Sequence, residues 1–303
     1  MTEFERNIGQ DGTGFDRVLG FTLPDRNARG RGVRLGPVLS EILAPHAYPP
    51  PIRDLLAEAL VLAALMGGLL KRAGGQLTLQ VQAPGAAAEL LVCDYLDGAL
   101  RGYIKHDPGA LAALPADPTL ADLFGEGALT VTFDLAETGQ RYQGVVPLEG
   151  PSLTAAVERY FARSEQIPTL LRTAVRADGP GPVAAGLLIQ HLAEGEEGGE
   201  RLHVRLDHPE WEHVAVLAGT VRAEELTDRL LPLEALVWRL FNEEREIRAE
   251  PGAVLSRGCR CSVERFEQVL ARFPKEDRRD MRNAEGVIVV DCAFCAREFP
   301  IQD

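Results

Sequence analysis

Four of the five cysteines fall in the last 45 residues, as Cys259-Arg260-Cys261 and, after 30 intervening residues, Cys292-Ala293-Phe294-Cys295. Thiols paired as C-x-C and C-x-x-C match the tetrahedral four-cysteine coordination of zinc, because each close pair chelates and the chain between them can fold back. The expectation is one Zn2+ per chain, held by Cys259, Cys261, Cys292 and Cys295. Such a site admits two functions. It can be a closed structural ribbon that carries a nucleic-acid or protein docking surface, or the metal-held thiolates can themselves be the reactive groups. A disulfide across C-x-C closes a very small ring, which is strained and readily reversed. The fifth cysteine, Cys93, sits within a predicted strand from Glu89 to Tyr95 and reads as a buried, inert core residue.

The elements around the thiols suit a small module. Ser262 can cap a helix that carries Val263, Phe266, Val269, Leu270 and Phe273 on one side and stops at Pro274. Val287 to Val290 and Arg297 to Ile301 can pair as strands, with Cys292 and Cys295 in the turn between them. About 45 residues bury too little apolar surface to be stable alone. Metal ligation, worth roughly 10–16 kcal/mol in zinc-finger peptides, should supply much of the folding free energy.

Upstream, the pattern is α+β: an N-terminal mixed domain with antiparallel strands and packed helices, a helical linker, and the small C-terminal zinc-binding domain. Strands are expected over Phe15 to Leu23 and Gly32 to Leu35, with helices over Gly36 to Leu43 and Ile52 to Leu70. A meander follows through Leu77 to Val81, Glu89 to Tyr95 and Ala99 to Lys105, turning at Asp97-Gly98. Thr130 to Leu135 and Arg141 to Leu148 form another strand pair. A helix capped by Ser152 and two strands, Leu170 to Val175 and Val183 to Ile189, complete a domain over 1–193. The acidic, glycine-broken run from Glu194 to Glu200 then marks a boundary. Residues 194–257 read as an acidic helical linker, in which Leu233, Leu236, Val237, Leu240 and Phe241 make one apolar stripe and Trp211, Val214, Leu217 and Ala218 another. The small zinc-binding domain occupies 258–303.

Charge limits the partners. The chain carries 32 Lys+Arg against 45 Asp+Glu, and residues 194–250 alone hold 15 acidic and 7 basic side chains. A net charge of −13 repels phosphate backbones and anionic lipid, so neither nucleic acid nor a membrane is an expected partner. Arg26, Arg29, Arg31 and Arg34 could form a basic patch for RNA, but read better as a solvated turn. The longest uncharged apolar stretch, Ala59 to Leu70, is too short to cross a bilayer. Met1 to Gln10 holds no apolar signal region, which points to the cytoplasm. The six histidines form no H-E-x-x-H, and no phosphate-binding glycine loop or G-x-S-x-G is present, so no enzyme activity is expected. His208 and His213 read as surface or helix-end residues.

The C-x-C and C-x-x-C tail resembles the zinc-binding redox switch of the bacterial 33 kDa heat-shock chaperone family. Tyr160-Phe161 followed by Ser164-Glu165-Gln166-Ile167-Pro168-Thr169, the strand Ala185 to Gln190, and Leu236 to Glu244 resemble further family segments in the same order. The resemblance implies a redox-regulated holdase. Its reduced form would be zinc-bound and inactive; oxidation would pair Cys259 with Cys261 and Cys292 with Cys295, unfold the switch and linker, and expose Leu233, Leu236, Leu240 and Phe241 to unfolding client proteins. It also implies a homodimer for the oxidised form. A structural zinc ribbon that binds nucleic acid or a protein partner is the alternative.

Overall fold

The computed structural model describes residues 14–70, 73–192 and 208–302. Strands β1 (Arg17–Leu23) and β2 (Ala28–Leu35) pair antiparallel, and helices α1 (Pro37–Leu43) and α2 (Pro50–Gly67) come next. Proline at the start of α2 is tolerated because first-turn N–H groups have no intrahelical acceptor. Thirteen of the 18 residues of α2 are buried. A helix apolar on every side needs neighbours on every side, and two sheets provide them.

The first neighbour is a meander of β3 (Gln76–Gln82), β4 (Ala88–Leu96) and β5 (Ala99–His106), extended by β6 (Ala128–Leu135) and β7 (Gln140–Pro147). Its order is β5-β4-β3-β6-β7, all antiparallel, with the expected turn at Asp97-Gly98. Two short helices that the hydrophobic pattern does not mark, α3 (Pro108–Ala112) and α4 (Leu120–Phe124), bridge β5 to β6. Each is five residues, too short to develop a helical period. Helix α5 (Leu153–Tyr160), capped by Ser152 as expected, ends in a π turn over Phe161–Glu165.

The second neighbour is formed when β8 (Thr169–Arg176) and β9 (Val183–His191) join β2. Val18, Val33, Leu35, Leu171 and Leu188 from this sheet meet Leu79, Leu91, Cys93 and Ile104 from the meander around α2 in one core. At Gly186 on β9 an added Cβ would lie 2.6 Å from Val61 Cγ1, so glycine is what lets α2 close on the strand.

The acidic stretch 194–200 lies outside the described residues. Beyond it the helical reading of the linker holds for α6 (Pro209–Gly219), α7 (Ala223–Thr227) and α8 (Leu233–Phe241). It does not hold for the segment after α8. Residues Arg248–Val254 form β10, which pairs antiparallel with β1, and Ser256–Arg257 form β11, parallel to β5. Pro251 and Gly252 weaken any local strand signal, and the open edge of β1, distant in sequence, supplies the pairing; an edge is where proline is tolerated. The five-stranded sheet thus runs β10-β1-β2-β9-β8.

The arginines read as a solvated turn are also elsewhere. Arg29, Arg31 and Arg34 lie on β2, and Arg34 is 1% exposed. The last elements are α9 (Val263–Leu270), α10 (Lys275–Asp280), β12 (Ile288–Asp291) and β13 (Glu298–Ile301). As expected, Ser262 caps α9 and the two strands pair antiparallel.

Candidate metal centre

The four C-terminal thiols converge from two directions. Ser256 N donates to Gly98 O at 3.0 Å and Gly258 N to Leu100 O at 2.7 Å, so the chain is still fastened to β5 one residue before Cys259. Cys292 and Cys295 occupy the turn between β12 and β13, where Cys292 N donates to Arg297 O at 2.9 Å and Ala296 N to Cys292 O at 2.8 Å. Sulfur separations are 3.2 Å for Cys259–Cys261 and 3.5 Å for both Cys259–Cys292 and Cys261–Cys295, and all four sulfurs lie within 4.8 Å of one another. Four sulfurs at about 2.3 Å from a tetrahedral ion would be about 3.8 Å apart. The donor set and spacing therefore fit a metal ion. All four thiols are unbridged.

Without a cation the set holds its protons unevenly. Burial pushes the Cys259 thiol up to about 12, with the adjoining thiols adding to it, and burial raises Cys292 as well. At Cys295 burial also raises the value, but hydrogen bonds from Arg297, together with those from Cys261 and Cys292, outweigh it and hold the thiol at about 6. Arg297 Nη2 donates to Cys261 Sγ at 3.4 Å as well. Four neighbouring thiolates repel one another unless a cation lies between them; a bound divalent metal would supply that charge and hold its ligands deprotonated.

The residues between the paired cysteines turn outward onto the meander, a contact that the sequence pattern does not assign. Arg260 donates to Gln76 Oε1 at 2.7 Å and to Asp94 Oδ2 at 2.9 Å. Asp94 is buried and also accepts from Thr78 Oγ1 at 2.7 Å and Arg101 Nε at 2.7 Å. The Arg101 guanidinium lies 4.1 Å from the Phe294 ring centre, and Tyr103 meets that ring edge-on at 6.4 Å. His46 stacks on Tyr48 at 5.0 Å, and burial lowers its pKa against the pull of the Phe294 and Ala293 main chain. The only signal in the sequence is that Arg260 and Phe294 stand inside the two cysteine motifs. Cys93, by contrast, is fully buried in the core, where burial raises its pKa well above the usual thiol range.

A second feature lies on the five-stranded sheet. Leu233, Leu236, Leu240 and Phe241 are all buried, packed with Trp211, Val214 and Ala218 against Leu19, Phe21, Leu187 and Ile189. At Gly30 an added Cβ would stand 2.0 Å from the Phe21 ring, so β2 leaves room for that ring, whose centre is 6.0 Å from that of Phe241. Polar ties flank this contact: Arg26 and His213 converge on Glu244 at 2.9 and 2.8 Å. The two expected sets, thiols and apolar stripe, thus form two clusters, one on each sheet.

A model of the family described as Hsp33 protein matches residues 16–302. The chain belongs to that family. It is 39% identical over 293 residues to the 33 kDa chaperonin of Caulobacter vibrioides (strain NA1000 / CB15N), covering 94% of each protein. It is 37% identical to the 33 kDa chaperonin of Pseudomonas aeruginosa (strain UCBPP-PA14), over 94% of this chain and 91% of that one. The fold is shared with the solved 33 kDa chaperonin of Thermotoga maritima, with a TM-score of 0.77, 24% identity and 95% of each chain covered. Membership of the Hsp33 family supports a chaperone role. Among the described residues no helix is long and apolar enough to cross a membrane.

Proposed function

We propose that this Hsp33-family chain is a redox-regulated holdase whose switch is the Cys259, Cys261, Cys292 and Cys295 site loaded with Zn2+. The observation that carries the reading is the burial of Leu233, Leu236, Leu240 and Phe241 on the outer face of the five-stranded sheet, in the segment that leads directly into the cysteine module. In the reduced state the apolar face is covered and the chaperone is inactive.

Peroxide is the oxidant class considered. A thiolate attacks one peroxide oxygen, giving a sulfenic acid and hydroxide; a second thiolate then displaces hydroxide from that sulfur and forms the disulfide. Two such events, in the neighbour pairing that the family resemblance implies, consume all four ligand sulfurs. The ligand set is then gone, and the small core of Leu270, Ile288 and Ile301 is too slight to keep the module folded. Loss of its docking contacts on β4 and β5 frees β11 and β10, and with them α8. The exposed sheet and stripe then bind unfolding proteins and keep them from aggregating. The acidity of the linker keeps the opened complex soluble, and a cytoplasmic location suits a thiol-based switch.

Zinc content and suppression of the thermal aggregation of a model protein, measured before and after peroxide with mild warming, test this. The expected result is one zinc per reduced chain, its release on oxidation, and activity only afterwards. Equal activity in both states would sink the proposal and favour a structural ribbon.

A further inference from the structure

The linker is fastened to the sheet by more than apolar contact. Arg34, at the end of β2, donates from Nε to Leu226 O at 2.7 Å, from Nη1 to Leu231 O at 2.8 Å and from Nη2 to Glu225 O at 3.3 Å. Arg176, at the end of β8, donates from Nη2 to Thr227 O at 2.8 Å. Both guanidinium groups are rooted in the five-stranded sheet, and all four acceptors are main-chain carbonyls of the linker. Helix α7 ends at Thr227, so its last carbonyls have no partner within the helix. The acidic side chains near Arg34, Asp228 and Glu234, act on it through space rather than by contact.

We propose that Arg34 and Arg176 are client-binding residues, which hold an unfolded polypeptide by its main-chain carbonyls once the linker that they now hold has left the sheet. The proposal rests on the reading of α6 to α8 as a removable cover, and it deepens that reading by naming what is recognised. Apolar surface alone attracts any sticky object. A carbonyl brought against such a surface loses water and needs a donor, and an arginine fork offers several. In a folded protein those carbonyls are already bonded, whereas an unfolded chain presents them at every residue whatever its sequence. Two arginines beside an apolar face therefore select for lack of structure and ignore sequence. The linker, held by the same groups, is the chain's own stand-in for a client.

The test uses full-length oxidised protein, as wild type and as the Arg34→Met/Arg176→Met double variant, with two probes. One is reduced, iodoacetamide-alkylated lysozyme, a permanently unfolded and basic chain; the other is phenylnaphthylamine, an uncharged apolar dye without a carbonyl. Removing two positive charges makes the chaperone more negative and should favour a basic client. The proposal nevertheless expects binding of the lysozyme chain to weaken about tenfold, as lost hydrogen bonds to charged donors would, with dye uptake unchanged. Arg34→Lys, which keeps the charge and loses the fork, should weaken chain binding by itself. Unchanged chain binding in the double variant, or chain and dye binding falling in proportion, would overturn the proposal. Should oxidised wild type take up neither probe better than reduced wild type, the removable cover fails and this proposal with it; should it take up both while the double variant keeps the lysozyme chain, this proposal alone fails.

Discussion

Arg260 and Phe294 join the four-cysteine cluster to the rest of the molecule, because each stands between two of its cysteines and reaches a residue of the meander. A metal ion held by the four cysteines would fix their backbone, and the backbone aims the side chains. Arg260→Met should leave the thiol set intact, so the reduced protein should still carry its metal. Asp94 would lose one of three donors at a buried position, a change worth about 1–3 kcal/mol. Hydrogen exchange should quicken at Ser256 and Gly258, whose amides are bonded to Gly98 and Leu100, by roughly tenfold for each 1.4 kcal/mol. Metal retention with unchanged exchange at those two amides would show that the contact does not couple the module to the sheet. The clustering of the four cysteines was legible in the sequence because chelation demands close spacing in the chain. Asp94 was not, since its partners Gln76, Thr78, Arg101 and Arg260 meet only through sheet register and docking.

Among the elements, legibility followed the range of the interactions that decide them. Helix α2 declares itself by its long apolar run and strands β3 to β9 by short apolar segments between turn residues, and the stripe on α8 is visible at i, i+3, i+4, i+7 and i+8. Strand β10 is decided by the vacant edge of β1, and the burial of Arg34 on β2 by main-chain carbonyls about 190 residues away. The seat of α6 is similar: His191 on β9 and His208, the N-cap of α6, have ring centres 5.0 Å apart, with Glu210 beside them, Arg26 O at 3.1 Å from His191 Nδ1, and Trp211 at 6.2 Å. Burial, and then the charge of His208, lowers the pKa of His191 below its ordinary 6.5. The unfolded chain then takes up a proton before the folded one does. Stability from this seat is complete above about pH 6.5 and is lost as pH falls through the lower, folded value. Urea titrations followed by Trp211 fluorescence on a Trp238→Phe background should show the midpoint falling between pH 7.5 and pH 5.5, and His191→Gln should flatten the dependence. An equal fall in both proteins would assign it to other groups, His46 first among them.

At the scale of the whole molecule, the apolar cores are unequal in a way that sets the order of unfolding. The core around α2 gathers buried residues from both sheets, the one under α6 to α8 is smaller, and the third consists of Leu270, Ile288 and Ile301 with Phe266, Val290 and Phe299 packed beside them. A core of that size cannot offset the conformational entropy of ordering some 45 residues. The acidic charge of the linker adds to the imbalance, because its helices repel one another once they lose the sheet. Metal removal should therefore act from the C-terminus inward. Chelation under reductant separates loss of the ion from disulfide formation. It should abolish exchange protection in α9, β12 and β13, reduce it in β10 and α8, and leave α2 and β9 unchanged, with full recovery when Zn2+ is restored. Protection that survives chelation in β12 and β13 would mean that the module folds on its own contacts, and the thiols would then have no hold over the cover on the sheet.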